Sequence, residues 1–197
     1  MSSPKQITRD DILSPQDYLA QRAVLRKRIV DIKKPRRIDV GPYATFYFES
    51  YETMLQQIQE MLYIEKGGEE QLVDELEAYN PMVPQGKELT VTLMFEIDDP
   101  ARRGTILRRL TDVELTAFVD VDGEKVYAQP EQDVERTASD GKTSSVHFLH
   151  FPFPDHLIAK FCSDEGQMVL GIEHENYAHM TILTPETRKS LSQDFDH

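Results

Sequence analysis

Apolar positions change their period once along this chain, near residue 86. Before that point they recur with helical spacing; after it they mostly alternate. The clearest helical stripe is Tyr51, Met54, Leu55, Ile58, Met61 and Leu62, preceded by Ser50 as a cap residue. An earlier helix is predicted from Ser14-Pro15, with Pro at the first helical position and Asp17 near the positive end of the dipole. It runs to Lys33 or Lys34 and stops at Pro35. Leu19, Ala23, Arg26 and Val30 line one side of it, and Leu25, Ile29 and Ile32 another. Between the two helices, Tyr43 to Glu49 is aromatic and β-branched and reads as a strand after Gly41-Pro42. Gly67-Gly68 breaks the central helix. Leu72, Val73, Leu76 and Tyr79 then form the apolar side of a partner helix, so a helical hairpin is expected.

After residue 86, Leu89, Val91, Leu93, Phe95 and Ile97 alternate with Thr90, Thr92, Met94 and Glu96, a strong strand signal. A short helix is expected from Ala101 to Leu110. Strands Val113–Val121 and Glu124–Gln129 flank Asp122-Gly123, a hairpin turn pair. Glu131 to Lys142 is polar and reads as a loop. Ser144 to Phe153 is a strand and Pro154 to Phe161 a short helix. Gln167 to His174 and Tyr177 to Leu183 form a last hairpin, and Thr184-Pro185 caps a last helix. The expected fold is α+β: N-terminal helices packed on a mainly antiparallel sheet in the C-terminal part. The chain reads as one domain over 1–197, helix-rich over 1–86 and strand-rich over 87–197.

Charge refines this picture. Residues 1–66 hold 11 Lys/Arg against 9 Asp/Glu, net +2, and residues 67–197 hold 11 against 26, net −15. The acidic part disfavours general nucleic-acid binding, because phosphate contacts need a basic footprint. From Arg22 to Arg37 there are eight basic residues and one acid, Asp31. This is either a solvated face or a docking surface for an acidic partner, the chain's own acidic part in a homodimer included. The single cysteine, Cys162, allows no intrachain disulfide and fits a reducing, cytoplasmic setting. The start, MSSPKQITRDD, has no apolar core of a signal peptide, and no run reaches the roughly 18 apolar residues of a membrane helix.

No catalytic motif stands out. Gly-x-Ser-x-Gly is absent, Cys162 sits beside apolar Phe161, and Gly67-Gly68 is followed by acids that would repel phosphate. His147 and His150 are i and i+3 on a strand and so point to opposite faces. His174 and His179 are different. If Glu175-Asn176 is a two-residue turn, His174 pairs with Tyr177 and Ile172 with His179, which puts both histidines and Tyr177 on one face. Surface histidines at a hairpin tip are the ordinary reading. The sharper one is a divalent-metal or proton-transfer site, a metal wanting one more ligand, for which Glu65, Glu49 or His150 are the nearest candidates by type. Glu65 continues the apolar stripe of the central helix. A solvated helix end is its ordinary reading; a carboxylate paired with an arginine such as Arg36 or Arg37 is the one its position makes worth testing.

The phrases RRIDVGPYATFYFE (36–49), QIQEML (57–62) with IE just after, DELEAYNP (74–81) and VHFLHF (146–151) resemble an uncharacterised bacterial protein family of similar length. The resemblance implies a genomic setting beside a rubrerythrin and an iron–sulfur oxidoreductase, hence peroxide handling or redox metabolism. It carries no residue roles. A family site would lie where these phrases meet: Arg36, Arg37, Glu49, Gln57, Glu60, Glu65, Tyr79 and Asn80. Two functions are therefore expected: a non-catalytic accessory or binding protein for a redox partner, or a metal-binding protein or enzyme using His174, His179 and a carboxylate.

Overall fold

The structure, a computed structural model, describes residues 5–131, 142–163 and 165–196. Helix α1 (Pro15–Lys33) starts where the Ser14 hydroxyl accepts the Asp17 N–H. A short 3-10 turn over Lys34–Arg36 leads to a hairpin of β1 (Arg37–Val40) and β2 (Ala44–Phe48). Helix α2 (Tyr51–Glu65) opens with a reciprocal cap: Ser50 Oγ accepts from Thr53 N–H, and Thr53 Oγ1 accepts from Ser50 N–H. It ends at Lys66, in the left-handed region at φ 56°. Helix α3 (Gly68–Tyr79) packs back on α2, as the hairpin pattern predicts.

The remaining elements are β3 (Glu88–Phe95), α4 (Pro100–Leu107), β4 (Ala117–Val121), β5 (Glu124–Tyr127), β6 (Gln129–Pro130), β7 (Val146–Pro152), α5 (Asp155–Cys162), β8 (Met168–His174), β9 (Tyr177–Ile182) and α6 (Pro185–Ser192). All strand pairings within the two sheets are antiparallel, in the orders β1-β2-β3-β7-β6 and β5-β4-β8-β9. The α+β class is the one the sequence pattern predicts. Asp122 and Gly123 both take positive φ, 53° and 95°, as a tight hairpin turn requires.

Three expectations need correction. The strands after residue 86 form two sheets, not one. The first sheet also recruits β1 and β2 from the helix-rich part, because β2 pairs with β3 from Ala44↔Phe95 to Phe48↔Val91. β1 was not expected at all: it offers only Ile38 and Val40 to the core, between exposed Arg37 and Asp39. Third, Val113–Thr116 is a 3-10 turn rather than strand, entered through Asp112 at φ 61°. The expected loop from Glu131 to Lys142 falls mostly outside the described residues.

One apolar cluster draws on both sheets, including Phe46, Leu89, Leu93, Val119, Leu170 and Ile172, and takes in Phe161 of α5 and Phe195. A second, of Ile7, Met54, Ile58, Leu72, Met82 and Val83, lies under the helices, and Phe148 of β7 packs against it. The first sheet is thus apolar on both faces: β3 turns Leu89, Val91 and Leu93 to the first cluster while Thr90 donates to Met82 O on the helical side. Helix α1 is attached differently. Among its residues only Tyr18 is buried; Leu25, Ile29 and Ile32 are half-buried, and Leu19, Ala23, Arg26 and Val30 face solvent.

Candidate functional site

The polar residues around which the sequence is organised divide into separate clusters. Arg36, only 3% exposed, donates from Nε to Phe48 O (3.0 Å), from Nη2 to Glu49 O (2.6 Å) and from Nη1 to Ser190 O (3.1 Å), and it pairs with Asp194. Burial pushes the Asp194 carboxyl up to about 6, against the opposing pull of Arg36. Glu49 is buried beside it and accepts from Thr53 Oγ1 (2.7 Å) and Thr92 Oγ1 (2.8 Å). Above this floor lies a cleft of about 340 Å³ with Lys5, Glu52 and Gln193 on its walls. The arrangement ties the end of β2 and the start of α2 to α6.

The other predicted members lie elsewhere. Arg37 is exposed, over the Tyr47 ring and beside Asp39 and Glu96. Glu60 accepts from Tyr18 Oη and from both Nε and Nη2 of Arg22 (2.9 and 2.8 Å), so it clamps α1 to α2. Arg22 first of all holds the Glu60 carboxyl below its ordinary range, while burial and then Glu60 push the Tyr18 phenol to about 12. Gln57 is half-buried on α2. Tyr79 packs on the second apolar cluster. Asn80 clasps the Ile7 backbone, accepting its N–H (2.8 Å) and donating to its carbonyl (3.0 Å), which fastens the N-terminal segment. Glu65 is exposed and accepts from Gln71 Nε2 (3.0 Å). It pairs with neither Arg36 nor Arg37, because the last turn of α2 runs past the edge of the apolar cluster into solvent.

The last hairpin has the predicted register: His174 pairs with Tyr177 and Ile172 with His179 across Glu175-Asn176. Neither turn residue takes positive φ. Each histidine has its own structural partners. His174 donates from Nε2 to Thr111 O (3.1 Å), and its Nδ1 accepts from Asn176 N–H (3.1 Å). The His179 ring stands edge-on to Tyr177, centroids 4.6 Å apart, and covers Gly41 so closely that a Cβ there would meet its Cγ at 2.5 Å. The Tyr177 hydroxyl accepts from Tyr43 and Ala44 N–H (2.9 Å each) and donates to Val40 O (2.7 Å), closing the β1–β2 turn. Glu65, at the tip of the helical hairpin, takes no part in these contacts. Among the described residues no group of three His, Cys, Asp or Glu side chains is placed to hold a metal ion.

The other two strand histidines have carboxylate partners that the sequence pattern does not predict. His147, fully buried in β7, donates from Nε2 to Ser144 O (2.9 Å), and its Nδ1 lies 3.7 Å from Oε2 of Glu114, itself 6% exposed. That Glu114 oxygen has no hydrogen-bond partner among the described residues. On the opposite face of β7, His150 lies between Glu88 (2.9 Å from Nδ1) and Glu131 (2.7 Å from Nε2). Burial alone would lower the His150 pKa; hydrogen bonds and charge from Glu88, then Glu131, reverse this and raise it. Its two ring nitrogens point away from each other, so the carboxylates cannot converge on one ion. The i, i+3 spacing signals the opposite faces, but nothing local in the sequence signals Glu88, Glu114 or Glu131 as partners.

The outer side of α1 has no internal partner of that kind. Val24 is 71% and Val30 64% exposed, set among exposed Arg26, Lys27 and Arg28. No helix among the described residues is long and apolar enough to cross a membrane.

Comparison with known proteins finds a family model and a solved structure that match. A family model described as a protein of unknown function (DUF3501) matches residues 6–195. The chain is also similar to a novel protein of unknown function from Burkholderia pseudomallei K96243, known from a crystal structure. The identity is 35%, the TM-score 0.89, and the match covers 98% of this chain and 100% of that one. No curated protein matches.

Proposed function

The chain belongs to the DUF3501 family of proteins of unknown function, and we propose that it is an accessory protein that docks an acidic protein of a redox or peroxide-handling system through the outer side of α1. The observation that carries this reading is the exposure of Val24 and Val30 within a basic helix. Isolated exposed apolar residues are ordinary on a protein surface. Here two lie within two turns of one helix and are framed by Arg26, Lys27 and Arg28, the residue mix of an apolar contact with a steering charge around it. At 19 residues and about 1.5 Å per residue the helix is about 28 Å long, enough for one side of a standard interface. The resemblance to a family encoded beside a rubrerythrin and an iron–sulfur oxidoreductase supplies the class of partner.

The test is calorimetric titration of purified rubrerythrin and iron–sulfur oxidoreductase from the same organism with this protein and with a Val24→Glu/Lys27→Glu/Arg28→Glu variant. The expected result is binding by the native protein to one of them that weakens as salt rises and is lost in the variant, whose changes lie on an exposed face. Absence of binding at low salt, or equal binding by the variant, overturns the reading. A native dimer abolished by the same substitutions overturns it in favour of a homodimer.

A further inference from the structure

A cleft of about 830 Å³ opens between the residues leading into α1 and the α2–α3 hairpin. Its size falls in the range of small-ligand sites. Ile12 and Leu13 line one wall, and Leu62 and Leu72 the other. Gln59 also lines it and is tied to the backbone of Leu13: Oε1 accepts its N–H (2.9 Å) and Nε2 donates to its carbonyl (3.3 Å).

At the mouth the charges are unequal. Arg9 is neutralised by its pair with Glu69. Lys66 is exposed and, among the described residues, its ammonium makes no hydrogen bond or ion pair. A mainly apolar cleft with one cation at its entrance that is not paired among the described residues matches a single hydrocarbon chain ending in a single negative group. We propose that this cleft binds a monocarboxylate with an unbranched hydrocarbon chain, the carboxylate at Lys66 and the chain between Leu13 and Leu62. This site lies apart from Val24, Lys27 and Arg28, so it stands or falls independently of the docking reading.

The experiment uses the full chain and cis-parinarate, a polyene carboxylate whose emission rises on entering a dry site, with displacement by octanoate, decanoate, dodecanoate and 1-dodecanol. Saturable binding is expected, with affinity rising about fourfold per methylene until the cleft is filled. Two variants locate it. Lys66→Gly retains the fold, because Lys66 already sits in the left-handed region that glycine adopts freely. It should weaken dodecanoate about tenfold and leave dodecanol unchanged. Leu19→Asp alters an exposed residue on the rim and should weaken both ligands at least tenfold. Lack of saturable binding by the native protein overturns the proposal, as does dodecanoate binding of native strength by both variants.

Discussion

Arg36 and Asp194 stand 158 positions apart and form a buried ion pair. Such a pair loses hydration on both sides, and the three backbone carbonyls that accept from Arg36 are what make its burial tolerable. The carboxyl gains less. Its folded pKa, about 6, lies above the ordinary carboxylate value. Between roughly 4 and 6 the folded state therefore holds a proton that the unfolded state has released, and stability falls as pH rises across that window, by at most about 1.4 kcal/mol per pH unit. Above it the contribution is constant. Asp194→Asn cannot titrate, so the stability difference between native protein and this variant should change across the window and be flat above it. Urea unfolding of both proteins at several pH values measures this; a difference independent of pH would show that Asp194 titrates normally. Glu65 illustrates the opposite case. A helical wheel places it on the apolar stripe, yet its exposure and its Gln71 partner leave it a surface residue.

Strand β7 shows at the scale of an element how alternation separates chemistry. His147 and His150 belong to one short strand, but His147 faces Glu114 between the sheets while His150 lies on the other face with Glu88 and Glu131. Because Thr90 pairs with His150, Glu88 is its diagonal neighbour on the adjacent strand. The raised pKa of His150 means that its contribution to stability is fully present below the unfolded histidine value and is lost as pH rises through the folded one. Glu88→Gln removes the foremost of the groups that raise it. The His150 ring signals, followed by NMR, should then titrate at lower pH than in the native protein, and an unchanged midpoint would assign the shift to Glu131 alone. Helix α1 is equally readable as an element: its caps, its stop before Pro35 and its two sides are all in the sequence. Which side met the protein was not. The Leu25, Ile29 and Ile32 side packs, and the side carrying Leu19 and Val30 is left outside.

For the whole molecule, the C-terminal residues connect the parts. Phe195 lies in the main core, 5.0 Å from the Phe153 ring and 5.6 Å from that of Phe161. Asp196 N–H donates to Gly86 O (2.9 Å), at the boundary between the helix-rich and strand-rich parts. Removing residues 193–197 takes away a core aromatic and strands the Arg36 charge. Either loss alone costs about 3–5 kcal/mol, against a total stability of about 5–15 kcal/mol for a domain. The truncated protein should therefore be largely unfolded at room temperature by circular dichroism and urea titration. A truncated chain with native unfolding behaviour would mean that neither Phe195 nor the ion pair contributes to the fold.

The sequence by itself determined what neighbouring residues can decide. Caps at Ser14 and Ser50, the breaks at Pro35 and Gly67-Gly68, the Asp122-Gly123 turn and the register across Glu175-Asn176 follow from backbone preferences and from period-2 or period-3.6 burial, all read within a few residues. Legibility ended where partners are distant in the chain. β1 is a strand because β2 beside it is held by β3. The strands divide into two sheets because that division buries apolar faces on both sides of the first. The polar residues that share the distinctive phrases were legible as polar groups beside apolar faces, but not as neighbours: Arg36 went to Asp194, Glu60 to Arg22, Asn80 to Ile7 and Glu65 to Gln71. A side chain's partner is chosen by which surfaces the packed core brings within about 3 Å of it, and tertiary structure alone decides that.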